Sequence, residues 1–505
     1  MLLEAAESAG FRIPALCRNT QVEHFTSCMV CLVKERSSGN LMPSCSVRVV
    51  PGMDILTDDE EIAEARKTAL ELLLSEHAGD CEAPCRLACP AFMDIPLMNR
   101  LIGAGQTEKA LEVVRRDIAL PAVLGRICPA PCEGACKRKP IDEPVAICLL
   151  KRFTADEAAP ILQIETAPPN GKKVAVIGAG PAGLAAAFYL QKLGIQAEVF
   201  DRHELPGGSM QYAIPDETLD KKVLENEISL IRRMGVQFRQ NQQIDAPAFE
   251  KLRAGYDAVV VATGNFAAEM ADWGLENNGK QVVVEKSTYM TNLDRVFAIG
   301  NANRSMQLAI RSAAQGKEVA GTIGRMLQGE AVSGEGRRFN SSIGKLLEQE
   351  YGEYLKEGSA VQRQEPDGKQ GGGLDPEQAQ AEAGRCMHCD CRKPDNCKLR
   401  DYADLYGASK KRFAYSVRKP IVKYMQVSGL VYEPGKCIKC GICVRLTAKH
   451  RETFGFSFIG RGFDVVVGVP FDEDLDKALE KTAEMVAEAC PTGALAFRTK
   501  PGAEG

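Results

Sequence analysis

The stretch KKVAVIGAGPAGLAAAFYLQKLGIQAEVFD, residues 172–201, decides the architecture of the middle of the chain. A β-prone run is followed by Gly178-x-Gly180-x-x-Gly183, an alanine-rich helical stretch, and a second β-prone run that closes on Asp201. That order is a complete β-α-β fingerprint for a dinucleotide. Gly178 permits the tight turn, Gly180 lets the backbone approach a pyrophosphate, and Gly183 lets the helix pack closely, with Pro181 and Ala182 between them. Asp201 stands where an acid binds a ribose hydroxyl. A Rossmann-like domain is therefore expected over residues 169–332.

Outward from this stretch, the chain of 505 residues is too long for one ordinary core, so several domains are expected. Lys+Arg 63 against Asp+Glu 67 leaves a net charge of -4, which gives no basic field for nucleic acid and no polybasic anchor. No apolar run approaches the roughly 18 residues that span a bilayer, and no basic-then-apolar leader opens the chain. A cytoplasmic protein without membrane insertion is expected. Nineteen cysteines, clustered in short steps, read as metal or cluster ligands and not as disulfide partners. They bracket a cysteine-free stretch, residues 149–385, that holds the fingerprint. Residues 59–76 have acids first and apolar residues at helical spacing, an amphipathic helix between modules. Residues 334–383 turn polar, with Gly371, Gly372 and Gly373, and read as a linker. No internal repeat, Ser/His/Asp triad, acid–base pair or phosphate-transfer motif is visible.

Four cysteine groups follow one another. Cys17, Cys28, Cys31 and Cys45, spaced C-x10-C-x2-C-x13-C, can hold a 2Fe-2S cluster, which takes four thiolates. Cys81, Cys85 and Cys89-Pro90, then Cys128-Pro129, Cys132 and Cys136, form two C-x3-C-x3-C runs that the stretch 95–120 can fold together. Six thiolates are too many for one 4Fe-4S cluster and too few for two, so two more ligands are needed. His77, four residues before Cys81, is either one of them or a helix-terminal histidine; Cys148 is either the other or a small core thiol. Cys386, Cys389, Cys391 and Cys397 could hold a 4Fe-4S cluster, a zinc, or nothing. Cys437-x2-Cys440-x2-Cys443 with the remote Cys490-Pro491 completes one cubane, and Thr447, where a two-cluster ferredoxin has cysteine, limits it to one.

Several of these segments resemble known families. LLEAAESAGFRIPALC, CMVCLV, CIKCGICVR, FIGRGF and CPTGAL are similar to the ferredoxin-like modules of the complex I large iron-sulfur subunit, related formate dehydrogenases and hydrogenases. The β-hairpin that normally precedes LLEAA has no counterpart before Met1, so a trimmed fold or a misassigned start is expected. GDCEAPCRLACPAFMDIP, GRICPAPCEGACKR and VAICLLKRF resemble the helical two-cluster domain of the glutamate synthase small subunit and dihydropyrimidine dehydrogenase family. That resemblance implies one 4Fe-4S cluster on Cys81, Cys85 and Cys136 and another on Cys89, Cys128 and Cys132. The family's first cysteine is Ala78 here, and H-x3-C also opens the His-ligated site of the complex I large subunit, which makes His77 a candidate replacement. LPGGSMQYAIP, DAVVVATG and RVFAIGN resemble the flavin-contacting segments of the same family, implying FAD. Gly207, Gly208, Ile214 and Pro215 then fall near the isoalloxazine, Thr263 and Gly264 at the crossover, and Gly300 and Asn301 near the ribityl chain, with Asn301 where the family has Asp. The family's NAD(P)H domain has no room: only residues 265–293 lie between Gly264 and Asp294, and one β-α-β unit needs ~30 or more.

The expected protein is a multidomain α+β and α/β chain. It has a 2Fe-2S ferredoxin-like β-grasp (1–58), a helical two-cluster domain (59–168), the Rossmann-like FAD domain (169–332), a linker with the Cys-rich motif (333–430) and a 4Fe-4S ferredoxin-like domain (431–505). FAD, one 2Fe-2S and three or four 4Fe-4S clusters imply an oxidoreductase subunit relaying electrons to a hydrogenase, formate dehydrogenase or NAD(P)H-oxidising partner. The alternatives are direct use of NAD(P)H at a site the sequence does not reveal, and a non-catalytic Fe-S scaffold.

Overall fold

The β-prone runs around the glycine fingerprint form a five-stranded parallel sheet in a computed structural model of the chain. It describes all residues except 160–163, 266, 267, 307, 335, 367–371, 415–417, 419, 426–428 and 499–505. The strands are β1 (Lys173–Ile177), β2 (Gln196–Phe200), β3 (Gln237–Arg239), β4 (Ala258–Val261) and β5 (Val296–Ala298), in the order β3-β2-β1-β4-β5. Val174 pairs with Ala197 on one side and Ala258 on the other. β4 and β5 are buried throughout, as expected of a parallel sheet covered on both faces. The strand order reverses at β1, and in such sheets ligands bind beyond the carboxyl ends at that point.

Two helices seal one face. Pro181–Lys192 carries small residues inward, and Ala309–Leu327 packs against it at Gly316, where an added Cβ would stand 2.4 Å from the carbonyl of Ala182. The other face holds Phe249 stacked on Trp273 at 4.6 Å. The same unit, residues 84–336 with 357–388, contains a helical layer. The stretch 95–120 breaks at Ala104-Gly105 into helices Ile95–Gly103 and Thr107–Asp117, which pack with Pro121–Ile127 and Ile147–Ala158 around Met98, Val114, Leu124 and Phe153.

Glu227 ties this layer to the sheet. It is buried, and its carboxylate accepts the amides of Ala122 and Val123 at 2.8 and 2.9 Å. Burial pushes its pKa up to about 7 against the restraining amides. A carboxyl whose folded pKa is raised costs nothing when both states are protonated. Its cost grows as pH climbs from the unfolded value, about 4.3, and is complete above about 7, on the order of 3 kcal/mol. Glu227→Gln is expected to flatten the fall of unfolding free energy over that window, measured by denaturation at several pH values. Equal slopes in both proteins would refute the assignment.

The second unit, residues 1–83 with 337–356 and 389–505, is a set of small sheets and helices. Strand Leu32–Glu35 pairs antiparallel with Leu41–Pro43 and Ile55–Leu56. The expected amphipathic helix runs Glu60–Ser75, capped by Asp59, which accepts the amide of Ile62 at 2.7 Å. Its buried Arg66 donates to the carbonyls of Leu32 and Thr57. Leu430–Tyr432 pairs with Tyr424–Met425 and Leu495–Phe497, beside helices Ile442–Lys449 and Ala483–Ala489.

The polar stretch expected as a linker is shared by the two units. Residues 337–356 belong to the second, where Ser341 is fully buried, and 357–388 to the first, where Glu382 and Arg385 form a buried ion pair at 3.0 Å. Gly371 lies outside the described residues. No described helix is long and apolar enough to cross a membrane.

Candidate redox site

The carboxyl ends of the sheet strands open onto a cavity of about 550 Å³. Gly178, Gly180, Pro181 and Ala182 form one wall, with the amino end of helix Pro181–Lys192 presenting free amides suited to a pyrophosphate. Gly178 has φ +110°, and a Cβ there would stand 2.3 Å from the carbonyl of Ala262. Gly183 is behind the wall: its added Cβ would meet the Gly178 carbonyl at 1.9 Å. Asp201 borders the cavity, but its two carboxylate oxygens accept the amides of Ala179 at 2.6 Å and His203 at 2.8 Å, so it braces the glycine turn.

Gly208 and Ile214 line the cavity, while Gly207 and Pro215 stand behind them in the turn. Thr263, Gly264, Gly300 and Asn301 line it elsewhere. Asn301 uses both ends of its amide, accepting the Met306 amide at 2.8 Å and donating to Asn265 at 3.2 Å. An aspartate could not make that donation. Trp273, the only tryptophan, also lines the cavity. Titrating FAD into flavin-free protein is therefore expected to quench most tryptophan emission, and unchanged emission would place the flavin elsewhere.

Cys128 and Pro129, with Leu124 and Ile127, complete this cavity, a placement that residue spacing does not reveal. Cys128 belongs at the same time to a group of four thiols. Cys148 sits beside it, its Sγ 3.7 Å from the Cys128 carbonyl. The hydrogen bond from the Cys148 thiol holds Cys128 down to about 6 and pushes Cys148 up. Burial, then the charge of Cys89, raises Cys132 to about 12. Lys151 is the common neighbour of all four: burial pulls its ammonium down, but Cys148, Cys128, Cys132 and Cys89 outweigh this and raise it. Its Nζ donates to the Leu124 carbonyl at 3.0 Å. A buried cation beside four thiols suits an anionic Fe-S cluster. Lys151→Met should lower the reduction potential of a cluster held there by on the order of 100 mV, as read by EPR redox titration. An unshifted potential would mean the ammonium faces no cluster.

The remaining thiols fall into further sets. In the sheet-bearing unit Cys136 feels the charge of Cys386, and Cys85 lies on the short helix Pro84–Ala88. In the other unit Cys17, Cys28, Cys31 and Cys45 are all buried. Hydrogen bonds from Cys28 and Cys45 hold Cys17 low, and Cys28 and Cys45 are raised in turn. Cys437, Cys440, Cys443 and Cys490 line one small cavity with Tyr432 and Leu495. Burial, then Cys490, pushes Cys437 up to about 11 and Cys440 up to about 12. Thr447 is buried there, donating to the carbonyls of Cys443 and Val444 and accepting the amide of Phe456. Cys17 and Cys440 share a core and feel each other's charge.

The four cysteines of residues 386–397 are divided between the two units and have different neighbours. Cys386 is next to Cys136, Cys391 and Cys397 are next to Cys81, and Cys389 acts on Tyr354. His77 is partly buried, and desolvation together with Lys410 and Lys436 pushes its imidazole down to about 3. Among the described residues no three His, Cys, Asp or Glu converge on a single point as one metal ion requires. The thiolates of a cubane each meet a different iron, so the buried four-thiol sets fit a cluster better than a zinc.

Three family profiles match the chain. They are a 2Fe-2S iron-sulfur cluster binding domain over residues 1–60, dihydropyrimidine dehydrogenase domain II, 4Fe-4S cluster, over 58–161, and pyridine nucleotide-disulphide oxidoreductase over 131–316. The chain thus carries 2Fe-2S and 4Fe-4S binding domains and a flavoprotein-type oxidoreductase domain. It is 34% identical over 262 residues to the NADP(+)-dependent formate dehydrogenase subunit beta of Moorella thermoacetica, covering 45% of this chain and 37% of that one. It is 34% identical over 248 residues to the NADPH-Fe(3+) oxidoreductase subunit beta of Geobacter sulfurreducens, covering 47% and 36%. It is 35% identical over 217 residues to the glutamate synthase [NADPH] small chain of Bacillus subtilis, covering 42% and 44%. The matched region spans less than half the length of each of these relatives.

Proposed function

We propose that this chain is the electron-distributing subunit of a larger oxidoreductase, in which FAD in the sheet cavity exchanges electrons with Fe-S clusters of the same chain and, through them, with a partner subunit. The observation that carries this reading is the double membership of Cys128: it lines the cavity with Gly178 and Gly180 and stands in the four-thiol group with Cys89, Cys132 and Cys148. FAD bound there would supply the change between two-electron and one-electron transfer, and the clusters single-electron steps.

Within this reading each residue has a defined task. The Gly178–Gly180 turn and the amino end of helix Pro181–Lys192 hold the pyrophosphate, and Asp201 keeps that turn in shape through the Ala179 amide. Asn301 fixes the loop at the far wall. Leu124, Ile127 and Pro129 keep water from the gap between cavity and thiols. Lys151 offsets the negative charge of the cluster that Cys89, Cys128, Cys132 and Cys148 hold. Cys17, Cys28, Cys31 and Cys45 hold the 2Fe-2S cluster and Cys437, Cys440, Cys443 and Cys490 a 4Fe-4S cluster, and the charge felt between Cys17 and Cys440 makes those two adjacent stations.

The names NADP(+)-dependent formate dehydrogenase subunit beta and NADPH-Fe(3+) oxidoreductase subunit beta favour a partner that handles formate or a pyridine nucleotide. Among the described residues 265–293 only the short turn Ala268–Trp273 is helical and no strand forms, so a second nucleotide domain is not built there. The nicotinamide is therefore assigned to another chain. Nineteen cysteines clustered in short steps, unlike a disulfide framework, support a cytoplasmic location. The test is to purify the chain anaerobically with FAD and clusters, add NADH or NADPH, and follow flavin absorbance with cluster EPR. No reduction by the isolated chain, and reduction once the partner is added, is expected; rapid reduction of the isolated chain would overturn the assignment of the nicotinamide to another chain. Protein that carries iron but takes up no FAD would instead support a structural scaffold.

A further inference from the structure

Four thiols of the unit formed by residues 1–83, 337–356 and 389–505 have no place in the sets above: Cys389, which acts on Tyr354, and Cys81, Cys391 and Cys397, which act on one another. Cys81 is far in sequence from Cys391 and Cys397, yet the amide of Cys391 donates to the carbonyl of Cys81 at 3.1 Å. The Cys81 Sγ accepts the amide of Ser341 at 3.4 Å, and Cys397 feels the charge of both Cys391 and Cys81. Cys81, Cys391 and Cys397 are buried, with exposures of 8%, 8% and 6%. A Cβ added to Gly493 would stand 2.3 Å from the Cys391 Sγ, so glycine at that point is what lets the thiol lie against the loop that follows Cys490.

The surroundings are those of an anionic group. Arg400, paired with Glu82 at 2.6 Å, and Lys436, paired with Glu433 at 2.6 Å, are buried, and both feel the charge of Cys391. His77 lies on the same short segment as Cys81, and its Nδ1 is buried with no hydrogen-bond partner. The segment is held by the amide of Ala78 on the Gly435 carbonyl at 2.7 Å, and Lys436 covers Gly79. A buried ring nitrogen without a partner costs free energy unless something ligates it.

We propose that Cys81, Cys391 and Cys397 hold a 4Fe-4S cluster whose fourth iron is taken by His77. This rests on the reading of the chain as an Fe-S relay and deepens it. The site draws its ligands from two remote segments and removes Cys391 and Cys397 from any cluster confined to residues 386–397. It lies against the loop of Cys490 through Gly493, which gives this unit a third station beside the Cys437 and Cys17 sets.

The test uses the full chain, purified anaerobically and labelled with 15N-histidine. Iron content is read together with continuous-wave and pulsed EPR of the reduced protein. Cys81→Ala, Cys391→Ala and Cys397→Ala should each delete one and the same signal and about four irons, leaving the 2Fe-2S signal and FAD content as evidence of folding. Cys386→Ala should keep that signal. The signal should show histidine nitrogen coupling that His77→Cys abolishes while the iron stays. The proposal is overturned if Cys81→Ala keeps a signal that Cys391→Ala and Cys386→Ala both lose, or if the signal carries no histidine nitrogen. Absence of every cluster signal from the unmodified chain would instead sink the relay reading itself.

Discussion

Gly183→Ala is expected to yield a protein that keeps its 2Fe-2S cluster but loses its FAD. The added methyl would stand 1.9 Å from the Gly178 carbonyl; a Cβ is fixed by the helix backbone and the atom it meets is itself backbone, so no side chain can swing aside. Relief requires the helix Pro181–Lys192 to lift from β1, which carries the pyrophosphate-facing amides away with it. Overpacking of this kind costs about 3 kcal/mol, which spent on the cavity weakens flavin binding about 100-fold. Flavin released on denaturation, measured per chain, reads the effect directly. Gly255→Ala is the control: nothing lies within 4 Å of its added Cβ, so full flavin content is expected. Stoichiometric FAD in Gly183→Ala would contradict the placement of the cofactor.

The second large effect is expected at Cys128. Cys128→Ala removes one thiol of the group facing Lys151 but only a wall atom of the cavity. FAD should stay bound, the iron content should fall by about four, and electron exchange between flavin and the remaining clusters should slow by about 100-fold or more. Cys136→Ala is the informative comparison. The family resemblance split the ligands so that Cys136 served the other cluster, and its neighbour Cys386 agrees with a separate site. Its loss should leave the fast exchange with flavin in place. If Cys136→Ala and Cys128→Ala behaved alike, the thiol group at the cavity would be wrongly composed.

Much of this was legible in the residues because the signals are local. The fingerprint over residues 172–201 needs only adjacent glycines and two apolar runs, and the sheet order places it at the reversal point. That Cys17, Cys28, Cys31 and Cys45 come together, and Cys437, Cys440, Cys443 and Cys490 likewise, was readable because each group is built around a close C-x2-C pair. Cys148 stayed ambiguous because its meaning depends on Cys128 and Lys151, which reach it through helix packing that spacing does not encode. The neighbours of the cysteines in residues 386–397 were not legible, because spacing does not show that the chain passes from one unit to the other inside that segment. The polar stretch before it read as a spacer because composition does not reveal that Glu382, Arg385 and Ser341 are buried with partners.

The central claim is that flavin and clusters exchange electrons inside this chain, at Cys128. The most direct measurement mixes the oxidised holoprotein with a limiting amount of dithionite, following flavin absorbance by stopped flow and cluster signals by freeze-quench EPR. The account predicts one shared rate for flavin bleaching and growth of a 4Fe-4S signal, split into two unrelated rates by Cys128→Ala. Two unrelated rates already present in the unmodified protein would contradict it.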